Sequence, residues 1–151
     1  MEIKDITLES QKALAIRLAC SFAELGDKFG EIYSEIGKHL KENSIKTAGY
    51  PYGKYHSFSP EKIDLEAGIA VEGNAEPAGR IILTETYGGK AVMTVFTGHY
   101  DKLADAWKKF AEVVDGSGYK LAGPCFEVYV TDPAEEPDSS KWITELYTPV
   151  Q

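Results

Sequence analysis

Residues 13–20 (ALAIRLAC) set Leu14, Ile16, Leu18 and Cys20 against small residues and Arg17, the period of a half-buried strand. Apolar residues then recur at Leu25, Phe29, Ile32, Ile36 and Leu40, one stripe of a helix that stops near Lys41, where KENS supplies a basic last turn and polar stop residues. Strands are predicted over 48–58 and 62–72, the second with Ile63, Leu65, Ala67, Ile69 and Val71 on one face. A loop (GNAEPAG), a strand over 80–86 and a Tyr87-Gly88-Gly89 turn follow. The order then begins again. Residues 91–97 (AVMTVFT) read as a strand, Gly98, His99 and Tyr100 as a turn, and Asp101 as the cap of a helix with stripe Leu103, Trp107, Phe110 and Val114, ended by DGSG. Strands over 124–130 and 142–150 close the chain, separated by the acidic loop TDPAEEPDSS.

Both halves therefore read β-α-β-β, with three finer correspondences. Ala-Gly opens the strand after each helix (Ala48-Gly49, Ala122-Gly123), a tyrosine stands six positions after each glycine (Tyr55, Tyr129), and a glutamate stands five before a valine (Glu66 with Val71, Glu145 with Val150). These imply a duplicated unit, residues 13–72 and 90–150, with Glu66 and Glu145 related by a pseudo-twofold axis. The fold class expected is α+β, one domain over 1–151: an antiparallel sheet with helices on one face and a ligand cleft on the other.

Composition narrows the function classes. With 151 residues, 43% hydrophobic and 26% charged, the chain suits one globular domain that buries roughly two-thirds of its surface. No run approaches the roughly 20 apolar residues of a membrane span, and the acidic opening MEIKDITLE does not resemble a signal peptide, so a cytoplasmic location is expected. Each half carries a net charge of −4, with 10 basic and 14 acidic residues up to Gly89 and 6 and 10 beyond it. Nucleic acid and anionic membrane are therefore poor partners. Cys20 and Cys125 lack a C-x-x-C spacing or a histidine cluster, so free thiols are expected, with no metal or other cofactor.

The run from GRIILTETYGG through TGHY and AGPCFEVY to TELYTPV resembles the GyrI-like small-molecule-binding domain, the effector half of multidrug-sensing activators, the C-terminal part of Rob-type regulators and a stand-alone gyrase inhibitor. The resemblance covers nearly the whole chain, most sharply from Gly79 onward. It implies two β-α-β-β repeats with a ligand cleft between them. It also implies that the last-strand glutamate that meets cationic aromatic ligands is matched by Glu145, and the site tyrosines by Tyr129 and Tyr100. Some stand-alone relatives hydrolyse cyclopropane-bearing toxins. No helix-turn-helix precedes residue 13, so direct DNA reading is not expected; a regulator or gyrase partner, or a homodimer through an exposed sheet edge, is allowed.

Two chemistries follow for Glu145. Charged, it would pair with an apolar, aromatic and cationic ligand stacked on Tyr or Trp rings. With its pKa raised by desolvation, it would act as general base for water while Tyr129 or Tyr100 holds the developing oxyanion. Glu66, Tyr55, Trp142 and Tyr147 complete the candidate ligand contacts, and Tyr50, Tyr52 and Tyr55 together would form an aromatic wall. Trp107 reads as core, Arg17 as a residue on the small-residue face of its strand with pairing to Glu66 as the alternative, and His39, His56 and His99 as residues without chemistry.

Overall fold

The computed structural model describes all 151 residues. Its elements are β1 (Lys4–Leu8), β2 (Lys12–Cys20), α1 (Leu25–Glu42), β3 (Thr47–Phe58), β4 (Ile63–Val71), β5 (Ile82–Glu85), β6 (Gly89–Thr97), α2 (Leu103–Gly116), β7 (Phe126–Tyr129) and β8 (Ile143–Pro149). The class is α+β, and every strand pair within the two compact units is antiparallel. One unit is Glu9–Gly88; the other joins Met1–Leu8 to Gly89–Gln151.

In Glu9–Gly88 the strands run β3-β4-β2-β5. The pleat sends Leu14 and Ile16 of β2 and Ile63, Leu65 and Ala67 of β4 to one face, where Ile32 and Ile36 of α1 bury against them. Each fully buried Leu or Ile contributes roughly 1.5–3 kcal/mol of transfer free energy, so this seam anchors α1. A 3-10 turn at Phe22–Glu24 leads into the helix through a reciprocal Ser21/Glu24 capping box. The other face of the sheet carries Ala13, Ala15, Arg17, Tyr52, Lys54, Glu66 and Gly68. Gly68 is dictated by a close approach of strands: a Cβ there would stand 2.3 Å from the Leu14 carbonyl oxygen and 2.7 Å from the Ala15 Cβ.

In the other unit the order is β1-β6-β8-β7. Val92 and Leu146 meet Leu103, Ala106, Phe110 and Val114 of α2, and the predicted helical stripe is the buried one apart from Trp107, which is half-buried. Strand register assigns the faces. Thr144, Leu146 and Thr148 share the α2 face with Glu127 and Tyr129, whereas Glu145, Tyr147, Phe126, Val128, Met93 and Val95 lie on the helix-free face.

Several expectations need correction. β1 had no place in the sequence reading, because KDITL is short and mostly polar; it pairs with β6, far away in sequence, and occupies the edge that β5 occupies beside β2 in the other unit. Ala122-Gly123 lies outside β7, which starts at Phe126. The cap of the turn before α2 is His99, whose Nδ1 accepts from the Asp101 N–H, so Asp101 sits in the first turn rather than capping it. The acidic loop contains a 3-10 turn at Ser139–Lys141, and Trp142 ends that turn instead of opening β8. No helix is long and apolar enough to cross a membrane.

Candidate functional site

In β7 (FEVY) alternation turns Phe126 and Val128 one way and Glu127 and Tyr129 the other, toward α2. Glu127 is 2% exposed. The indole N–H of Trp107, reaching down from α2, donates to Glu127 Oε1 at 2.6 Å, and the Tyr129 hydroxyl donates to Oε2 at 2.5 Å. Rings extend from this carboxylate in a chain. Tyr129 meets Tyr100 edge-on at 5.7 Å, Tyr100 meets Trp142 at 4.9 Å, and Trp142 stacks on His99 at 5.2 Å. The Trp142 indole N–H donates to the Glu136 carbonyl at 2.8 Å, which ties its ring to the acidic loop. Burial first, then the charges of Asp132 and Glu127, push the Tyr100 hydroxyl pKa upward, so the phenol stays protonated at neutral pH.

A carboxylate enclosed by electron-rich rings and met by neutral N–H and O–H donors suits a cation, because charge and ring quadrupoles attract it together. Glu127 is not among the residues expected at the site, and Trp107, expected as core, packs against the core cluster while its indole bonds Glu127. The E-V-Y spacing was the available signal, since residues two apart on a strand share a face.

Glu145, expected as the anchor, lies on the face of the sheet opposite Glu127. Glu145 is half-buried on the helix-free face, opposite Val95 and Val128, and accepts from the Tyr147 hydroxyl at 3.0 Å. Tyr147 stacks on Phe126 at 4.9 Å, and burial, reinforced by Glu145, pushes its phenol pKa up. Glu145 and Tyr129 therefore sit on opposite faces of one sheet, and the expected pairing of Glu145 as base with Tyr129 or Tyr100 as oxyanion donor is not formed. Tyr129, Tyr100 and Trp142 do come together, around Glu127.

Glu66 occupies the same strand position in its own unit but in different company. It is 5% exposed, accepts from the Tyr52 hydroxyl at 2.7 Å, and lies 2.9 Å from His56 Nε2. His56, expected to be without chemistry, is thus a partner of a buried carboxylate. Burial, then Glu66, raises the Tyr52 pKa. Arg17 faces Glu66 across the ladder yet grips Asp64 instead, at 2.9 and 2.8 Å. Tyr55 pairs with Leu65 on the α1 face while Tyr52 pairs with Gly68 on the other, and Tyr50 is exposed, so the three tyrosines form no single wall. His39 bonds the Glu76 carbonyl, and both cysteines are free. No group of three His, Cys, Asp or Glu side chains is placed to hold a metal ion.

The fold is of α+β type, two helices on antiparallel sheet. Residues 1–151 match the model of the GyrI-like small molecule binding domain, and the chain belongs to that family. Over 96 residues it is 33% identical to proteins named DNA gyrase inhibitor from Escherichia coli (strain K12) and Shigella boydii, a match that spans 60% of this chain and 59% of each relative. Solved structures share the fold across nearly all of the chain. The EcmrR C-terminal domain has a TM-score of 0.85 at 23% identity, covering 99% of this chain and 96% of that one. SAV2435 bound to tetraphenylphosphonium has 0.73 at 16%, covering 100% and 94%. A hydrolase from Listeria innocua has 0.66 at 13%, covering 99% and 92%.

Proposed function

We propose that this domain binds aromatic cations at Glu127, among the rings of Trp107, Tyr129, Tyr100 and Trp142. The observation that carries this reading is the near-complete burial of the Glu127 carboxylate between an indole N–H and a phenol. Each favourable ring contact with a cation contributes roughly 0.5–2 kcal/mol, so two or three rings supply about 1–6 kcal/mol of attraction, to which the carboxylate adds. A fold neighbour that holds tetraphenylphosphonium supports the choice of ligand.

Titration with tetraphenylphosphonium tests it. Glu127→Gln is expected to weaken binding at least about tenfold, about 1.4 kcal/mol, while Glu145→Gln leaves it within about twofold. Loss on Glu145→Gln with Glu127→Gln unaffected would move the anchor to the helix-free face. A hydrolytic reading draws on the 2.5 Å contact between Tyr129 and Glu127, a phenol and a carboxylate placed for proton transfer. A cyclopropane-bearing toxin recovered intact by mass spectrometry after incubation excludes it for that substrate. The relatives named for gyrase inhibition suggest a protein partner, which saturable association with purified gyrase would support.

A further inference from the structure

We infer that the Glu127 site selects cations carrying an N–H, protonated aromatic amines, over onium ions with no hydrogen to donate, and that Thr144 makes the distinction. The inference rests on the Glu127 reading and adds a ligand class to it. Thr144 is 0% exposed, and its Oγ1 is the one buried side-chain polar atom that finds no hydrogen-bond partner in the protein. Buried hydroxyls are nearly always satisfied, because leaving one unpaired forfeits its water without replacement. Valine has the same shape and would leave no such orphan.

Its position says what the hydroxyl can serve. Across the ladder Thr144 lies directly opposite Tyr129 on β7 and Phe96 on β6, while Glu127 lies opposite Leu146, two residues further along β8. Thr144 and Glu127 are thus diagonal neighbours on the α2 face, a separation of roughly 7–8 Å that one bound group can bridge. Trp142 stands two residues before Thr144 and belongs to the same ring chain. An ammonium drawn in by the carboxylate can donate an N–H to Thr144 Oγ1. A quaternary or phosphonium centre satisfies the charge and the rings but leaves the hydroxyl orphaned.

Two probes isolate this difference: N,N-dimethyl(1-naphthylmethyl)ammonium and its N,N,N-trimethyl counterpart, titrated calorimetrically at neutral pH. Wild-type protein is expected to bind the dimethyl probe about tenfold more tightly than the trimethyl one, the size of a hydrogen bond to a charged group. Thr144→Val should abolish that preference, keep the trimethyl affinity within about twofold, and melt no lower than wild type. Thr144→Ser should retain the preference. Equal affinities in wild type, a preference that survives in Thr144→Val, or a lower melting temperature for that variant, as a fixed water on the hydroxyl would produce, overturns the inference. If neither probe binds wild type, the Glu127 reading falls and takes this one with it; binding of both alike overturns this one alone.

Discussion

Arg17 shows how little a residue's identity says until its neighbours are known. It stands opposite Glu66 in the β2–β4 ladder, yet both of its hydrogen bonds go to Asp64, two residues away, and Glu66 turns to Tyr52 and His56. The guanidinium bonds hold the Asp64 carboxyl below the ordinary carboxylate range. The folded-state pKa is depressed, so this stabilisation is present above the unfolded value of about 3.9 and is lost as pH falls through the lower folded value. Thermal melts between about pH 5 and pH 2 should therefore show a shallower acid-side fall for Asp64→Asn than for wild type. The pair is largely exposed, and the difference should amount to roughly 1–3 °C. Identical acid limbs would show that the ion pair carries no pH-dependent stability.

Between elements the governing fact is how closely β2 and β4 approach at Gly68. Any side chain there meets the Leu14 carbonyl and the Ala15 Cα and Cβ, all on the backbone or next to it, so the clash cannot be relieved by a rotamer change. Gly68→Ala should destabilise the protein by about 2–3 kcal/mol and lower its melting midpoint by roughly 5–10 °C. An unchanged midpoint in differential scanning calorimetry would mean that the strands separate freely. Element identity was legible in the chain wherever a period ran long enough: the stripes of α1 and α2 and the alternation of β2, β4 and β6 all reappear within a residue or two. β1 was not legible, because a short, polar edge strand is selected by its partner and not by its own pattern. The neighbour it covers, β6, lies more than eighty positions away.

Over the whole molecule the net charge of −8 bears on the proposed binding of cations. A negative field concentrates cations and speeds their encounter with the protein, and salt screens it within a Debye length of about 10 Å at 0.1 M. Stopped-flow association of an aromatic cation should slow by about two- to threefold between 20 and 300 mM NaCl, with dissociation little changed. Association rates independent of salt would rule out steering by the field. The proposed ligand class entered through the family resemblance and not through composition, and Glu127, the anchor proposed for it, was not singled out in the sequence.

The chain by itself determined the alternation of strands and helices along its length, since periods of 2 and 3.6 are written in consecutive residues. Tertiary structure alone decided which carboxylates lie buried and which rings surround them. Glu127 acquires its surroundings because β7 pairs with β8 in one register and α2 lowers Trp107 onto that face. Glu145 follows Thr144 directly on β8 and is therefore turned to the other side. Alternation along a single strand says which residues share a face, whereas which face that is and what stands against it depend on contacts between segments distant in sequence.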